Sequence, residues 1–243
     1  MGMKYNGVGR SFCGTVAFFG YLERFFMSRT ILITSGPTRE PLDPVRFLSN
    51  GSSGRMGVAL AEAAISLGFA VTIVSGPVRV TYPSAATVVE VETTREMLDA
   101  AMDVFERLDC VGVIGAAAPC DFCVANVSKQ KIKKNPDGRP LILELVETPD
   151  ILATLATVKR VDQRVVGFAL ESESHTGAGL ENAQVKRQKK RCDLLVLNHP
   201  NAIGVDVTNV LLIDACGEIV QELTTTKRAI AERIVRRIFG DIE

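Results

Sequence analysis

The sequence predicts an α/β fold with a doubly wound, mostly parallel, Rossmann-like sheet, on three observations. Short runs rich in β-branched residues, such as Thr30 to Thr34, Ala70 to Val74 and Val111 to Ala116, alternate with helical segments. The runs are nearly continuous in apolar character instead of alternating with polar residues, the pattern of parallel strands covered on both faces. Glycine, proline and hydroxyl residues gather in the loops that follow them, where open α/β sheets bind ligands.

Taken in order, the strand Thr30 to Thr34 leads through a long loop to an Ala-rich helix from about Met56 to Leu67 and then to the strand Ala70 to Val74, a βαβ unit. A strand near Thr87 to Val91 precedes a helix that opens on Thr93-x-x-Glu96 and runs to about Leu108. That spacing lets the threonine hydroxyl and the glutamate carboxylate satisfy each other's backbone N–H groups. After the strand Val111 to Ala116 comes a basic run, Lys129 to Lys134. The turn Asn135-Pro136-Asp137-Gly138 and an alternating strand, Leu141 to Leu145, follow, together predicting a basic flap hairpin. A short helix capped near Thr148-Pro149-Asp150, a strand Val165 to Ala169, a polar helix of about Leu180 to Lys190 and a strand Asp193 to Asn198 resume the alternation. A hairpin, Val210 to Asp214 with Ile219 to Leu223, and a helix Lys227 to Phe239 close the chain.

Residues 1–26 show no clear period and carry Glu23 and Arg24 inside a short apolar segment, a poor signal peptide; they are expected to be an extension or to precede the natural start at Met27. The domain is then 27–243. Lysine plus arginine equals aspartate plus glutamate, so no global field recruits nucleic acid or an anionic membrane, and anions must be bound by local clusters. Six scattered cysteines do not form a secreted disulfide framework, and no apolar run is long enough to span a bilayer, so a cytoplasmic location is expected. Cys120-x-x-Cys123 has no second pair beside it, and His175 and His199 are remote in sequence, so two small residues packed beside a strand end is the plainer reading.

The loop Ser35 to Gly57 ends in glycines and hydroxyls at a helix start, where backbone N–H groups can cradle phosphate. Gly51-x-x-Gly54-x-x-Gly57 alone equally suits a tight turn with close helix packing. At Gly115 to Phe122, small residues at a strand end admit a flat ligand, and Asp121 offers a carboxylate to hydroxyls or a metal. In Lys131-Ile132-Lys133-Lys134 an extended backbone puts Lys131 and Lys133 on one face with Ile132 opposite; taken alone, such a run is more often a solvated surface than a ligand site.

Together these segments resemble phosphopantothenoylcysteine synthetase (phosphopantothenate-cysteine ligase) of the bacterial type, from about Thr30 to Ile238. The resemblance is carried by the stretch Ile33 to Phe47, by Ser49-Asn50-x-Ser52-Ser53-Gly54-x-Met56-Gly57, and by Ala116-Ala117-Ala118-x-x-Asp121-Phe122. Lys131-Ile132-Lys133-Lys134, Thr148-Pro149-Asp150-Ile151-Leu152 and Val166-Gly167-Phe168-Ala169 complete it. It implies a two-step ligation: the carboxylate of 4'-phosphopantothenate attacks the nucleotide α-phosphate and releases pyrophosphate, then the amine of L-cysteine displaces the nucleoside monophosphate. It also implies nucleotide contacts from Gly36, Ser52, Ser53, Gly54, Ala116, Asp121, Phe168, Lys186 and Lys190 and substrate contacts from Arg46 and Lys133. Asn50 and Lys131 take the catalytic roles, the first orienting the acyl group and the second lying on a flap over the intermediate. CTP in preference to ATP, Mg2+ on the triphosphate and a homodimer follow from the same resemblance. So does a separate decarboxylase, because 26 residues cannot hold the flavin-dependent decarboxylase domain that many relatives carry.

Two other readings stay open. A reductase of Rossmann type using NAD(P) is weakened by Val74-Ser75-Gly76-Pro77, which offers no carboxylate to an adenosine ribose, and by the lack of Tyr-x-x-x-Lys. A nucleotide-binding module without catalysis is the other.

Overall fold

The structure is a computed structural model and describes residues 29–171, 177–199 and 205–240; the extension expected over 1–26, and His175, lie outside them. Among the described residues twelve strands and five helices follow in chain order: β1 Thr30–Ser35, β2 Arg39–Pro41, β3 Phe47–Ser49, α1 Arg55–Ser66, β4 Ala70–Ser75, β5 Thr87–Glu90, α2 Thr94–Phe105, β6 Cys110–Gly115, β7 Phe122–Val124, β8 Leu145–Glu147, α3 Ile151–Thr157, β9 Arg164–Leu170, α4 Gly177–Lys189, β10 Leu194–Asn198, β11 Val207–Asp214, β12 Ile219–Thr226 and α5 Lys227–Phe239.

Eight strands form one sheet in the order β12-β11-β10-β9-β6-β1-β4-β5. From β5 to β10 every pair is parallel, and β11 and β12 add an antiparallel edge. The chain winds outward in both directions from β1, so the switch point lies between β1 and β6, as the doubly wound fold predicts.

The continuous apolar strands are explained by burial on both faces. In β1, Ile31 and Ile33 pack into a cluster with Leu60 of α1 and Ile230 and Ile234 of α5. Leu32, between them, points into the opposite cluster with Met97 of α2, Leu155 of α3 and Ala183 of α4. The sheet is thus sandwiched by α1 and α5 on one side and by α2, α3 and α4 on the other. The capping box forms as read: Thr93 accepts from the Glu96 N–H at 3.2 Å, and the Glu96 carboxylate accepts from the Thr93 N–H at 3.1 Å. Asp150 caps α3 by accepting from the Ala153 N–H at 3.2 Å.

The flap differs from its prediction. Residues 141–144 are irregular, and the strand is β8, which pairs antiparallel with β7 instead of with the basic run. Lys129 to Lys134 therefore lie in the long connection of a short ribbon. The alternation at Leu141 to Leu145 is not used because those apolar side chains find no core: Leu141, Ile142 and Leu145 are exposed. A second ribbon that the sequence reading did not foresee, β2 with β3, folds the β1 loop back on itself. Among the described residues no helix is long and apolar enough to cross a membrane.

Candidate functional site

The site begins where β1 and β6 end. Pairing persists past both strands: the Ala116 N–H donates to the Thr34 carbonyl at 3.0 Å, the Ala118 N–H donates to that of Gly36 at 2.8 Å, and Pro37 bridges Ala118. Gly36 makes the turn between them with a φ of 76°, where a side chain would be strained. The loops that carry the glycine-rich turn and the small-residue strand end are thereby held side by side.

Thr38 ties the rest together. It is buried, and its hydroxyl bonds that of Thr94 at 2.8 Å and accepts from the Cys120 N–H at 2.8 Å, while its carbonyl accepts from Ser49 at 2.8 Å. Glu40, also buried, accepts from the Thr94 N–H at 2.7 Å. Both were quoted in the sequence motif without a role; their burial depends on α2, more than 50 residues onward, which a linear reading does not show. Cys120 is buried beside the Thr38 and Leu48 carbonyls, and burial is the largest influence on its thiol, which is pushed above its ordinary value. Cys123 is a free thiol on β7, so the packed reading of these two residues suits the structure.

The β2–β3 ribbon delivers Asn50 to the crevice. Its side-chain amide donates to the Pro119 carbonyl at 2.9 Å and to that of Ala118 at 3.4 Å, so one exposed side chain spans the two loops. Ser52 and Ser53 follow, half-buried, and Gly54 begins α1 with a φ of 75°. Gly54 has no side chain to cap the helix, α1 has no acidic residue in its first turn, and the N–H groups there present the positive end of the helix dipole. Val78 and Val80 lie against Gly54, and Gly57 packs on Ser35. The same two valines help to line a cleft of about 550 Å³ whose charged groups are Arg39, Glu90, Glu92 and Glu96, a net acidic setting that disfavours phosphate. At the end of β4 the Ser75 hydroxyl bonds Tyr82 at 2.8 Å, leaving that position without the ribose-binding carboxylate of a dinucleotide fold.

The other expected residues are placed as follows. Asp121 is exposed at the mouth, its carbonyl accepting from the Thr148 N–H at 3.0 Å. Phe168 lies half-buried on β9, against the cluster under α1 and α5. Lys186 pairs with Glu171 at 2.6 Å, just past β9, and Lys190 with Asp150 at 3.3 Å, so both cations are held by carboxylates and not by the Gly54 turn. Lys131 and Lys133 are exposed. Arg46 pairs with Asp43 at 3.0 Å and donates to the Ile132 carbonyl; it is an internal tie as well as a candidate ligand residue. Asp43, which the sequence reading passed over, is buried in that tie.

Fold and crevice together define a class: a Rossmann-like α/β protein with a ligand site at the switch point of its sheet, built from an open helix N-terminus and a small-residue strand end. The family is the one described as DNA/pantothenate metabolism flavoprotein C-terminal domain, which matches residues 26–241, and the chain belongs to it. The resemblance read from the motifs is borne out at that level. A protein named Cysteine/Cysteine sulfinic acid decarboxylase, from an unknown prokaryotic organism, is 39% identical over 222 residues, covering 89% of this chain and 59% of its own. The Coenzyme A biosynthesis bifunctional protein CoaBC of Escherichia coli K12 is 44% identical over 169 residues, 69% of this chain and 40% of that protein. The chain thus spans about half the length of the curated relatives it matches. Among solved structures, the C-terminal domain of a CoaBC protein superposes with a TM-score of 0.70 at 35% identity, covering 86% of this chain and 93% of that one.

Proposed function

We propose that the chain is a phosphopantothenate-cysteine ligase of coenzyme A biosynthesis, working in the cytoplasm through an acyl-nucleotide. The observation that carries this reading is the Asn50 bridge, which joins the loop entering the α1 N-terminus to the Ala116 to Pro119 strand end. The match to the CoaBC C-terminal domain over 93% of its length supports it. In this reading the N–H groups after Ser52, Ser53 and Gly54 receive the nucleotide phosphates, and the strand end at Ala116 with Phe168 receives the base. The carboxylate oxygen of 4'-phosphopantothenate attacks the α-phosphate and pyrophosphate leaves. The nitrogen of cysteine then attacks the acyl carbon, and the nucleoside monophosphate departs with the C–O electron pair. Such chemistry needs positioned donors and cations more than a general base, which suits the open N–H groups of the α1 N-terminus and, in this reading, Lys131 and Lys133 of the flap.

Asn50 orients the acyl group by exchanging its longer bond, to Ala118 at 3.4 Å, for one to the acyl oxygen. Magnesium fits as a guest of the triphosphate: Asp121 offers a hard oxygen at the mouth. Among the described residues no three His, Cys, Asp or Glu side chains converge as a cage, so the phosphates would supply most of its ligands. The ion would neutralise charge on the transferring group. A homodimer belongs to the same proposal, with exposed Phe47, Phe122 and Val146 on the two ribbons as apolar surface for a second copy to cover. CTP is favoured over ATP because the loop motifs are of the bacterial type.

The test is pyrophosphate release with CTP or ATP, phosphopantothenate and cysteine. Release that needs phosphopantothenate, with product that needs cysteine, is expected, faster with CTP. Tight NAD(P) binding without release would replace the ligase with a reductase, and CTP binding without turnover would leave a binding module.

A further inference from the structure

The Asp43 side chain is wholly buried, although the residues that follow it, 44–47, are exposed. One carboxylate oxygen accepts from the N–H groups of Val45 at 2.8 Å and Arg46 at 2.9 Å. The other accepts from the Ile132 N–H at 3.1 Å and meets the Arg46 guanidinium at 3.0 Å. Arg46 in turn donates to the Ile132 carbonyl. Nearby, the Ser128 N–H donates to the Leu42 carbonyl at 3.0 Å. A local turn accounts for the first two bonds. It does not account for a carboxylate and a guanidinium that together grip both polar groups of one residue 89 positions away.

That residue stands between Lys131 and Lys133. Where the backbone is extended, fixing the N–H and the C=O of the central residue fixes the direction in which both neighbours project. Burial pushes the Asp43 carboxyl up, but the N–H groups of Val45, Ile132 and Arg46 and the Arg46 charge outweigh it and hold it below its ordinary value. The group is therefore ionised at neutral pH and keeps its hold on Arg46.

We infer that Asp43 is a positioning residue: with Arg46 it clamps the Ile132 peptide and so aims Lys131 and Lys133 over the crevice, without touching substrate. What the lysines do there rests on the ligase reading; the clamp itself does not.

The experiment uses the full chain with Asp43→Asn, Lys131→Gln and the double variant. In the free protein, hydrogen exchange over 128–134 should speed up at least tenfold in Asp43→Asn, while β1 and β6 keep their protection. With CTP, phosphopantothenate and cysteine, Asp43→Asn should lower kcat/KM by tenfold or more, and the double variant should fall within about twofold of Lys131→Gln alone, because a misaimed lysine and a missing one cost the same thing. Unchanged exchange over 128–134 overturns the clamp. Faster exchange with penalties that multiply in the double variant overturns the positioning role, since Asp43 would then act apart from Lys131. If the wild type releases no pyrophosphate, the ligase reading falls and the exchange result alone decides the clamp. Should Asp43→Asn fail to fold, the exchange measurement is made on Arg46→Lys, which spares the Val45 and Arg46 N–H bonds to Asp43 while weakening the ion pair with it and the grip on the Ile132 carbonyl; unchanged exchange over 128–134 there overturns the clamp.

Discussion

Replacing Gly57 with alanine tests the seating of α1, and with it the shape of the candidate phosphate cradle. A Cβ at this position would lie 2.1 Å from the Ser35 Oγ and 2.6 Å from the Ser35 Cβ. The hydroxyl can rotate away, but the Cβ cannot, and comfortable carbon contacts begin near ~3.5 Å. The first turn of α1 must therefore lift by about an ångström from the end of β1. Over-packing of this kind costs roughly 1–3 kcal/mol. Moving the Ser35 hydroxyl also loses its bond from Tyr82 at 2.9 Å, worth roughly 0.5–1.5 kcal/mol. Against these, alanine gains roughly 0.5–1 kcal/mol over glycine inside a helix. The balance centres on a destabilisation of about 2 kcal/mol, or roughly 4–8 °C in Tm for a chain of this size. Thermal unfolding followed by circular dichroism measures it, and calorimetric titration with CTP should show weaker binding in parallel. Ser35→Gly removes both clashing atoms, so the double variant should be more stable than the sum of the single effects. A Gly57→Ala protein as stable as the wild type, or a double variant that is merely additive, would refute the seating of α1 on Ser35.

Three further outcomes are expected. Asn50→Asp sets carboxylate oxygens against the Ala118 and Pro119 carbonyls and removes the donor to the acyl oxygen; in rapid quench, acyl-nucleotide should form and persist while product lags, at a cost of roughly 2.7–4 kcal/mol to the second step. Equal loss of both steps would separate Asn50 from the acyl group. Thr93→Ala opens the capping box of α2 and should cost ~1 kcal/mol, a fall of a few degrees in Tm, with turnover of folded protein unchanged. Burial pushes the Cys192 thiol from 9.0 up to about 12, the nearby charges of Lys190, Asp193, Asp150 and Lys159 making smaller contributions of both signs. Because the folded protein holds this proton more tightly than the unfolded chain, its stabilisation is complete below pH 9 and is lost as pH rises from there towards 12. The urea midpoint should fall between pH 8 and pH 10, and Cys192→Ala should flatten that fall.

Much of the fold was legible in the linear sequence because its causes are local. The central strands of the main sheet declare themselves by short β-branched runs buried on both faces, α2 by a capping box that closes within four residues, and α3 by Asp150. The Gly54 turn and the small-residue strand end were legible as candidate ligand sites for the same reason, since backbone freedom and the open N-terminus of a helix depend on neighbours along the chain. The flap was legible as a protrusion but not in its pairing. Alternation at Leu141 to Leu145 predicts a strand only if one face meets a core, and here it meets solvent.

The sequence by itself thus determined the doubly wound class, the order of most elements, the family and the segments that carry candidate chemistry. The tertiary structure alone decided which of those segments meet. It brought Asn50 to carbonyls 68 and 69 residues away, buried Thr38 under a strand end 82 residues on, and tied Arg46, still a candidate ligand residue, to the Ile132 carbonyl. It also drew in Asp43, an unremarked acid in a surface loop until its carboxylate is seen to hold a backbone N–H 89 residues away. Periodicity and capping are set by backbone sterics over a few residues and are written in the chain. Contacts across such separations exist only once the sheet has closed the loops between them.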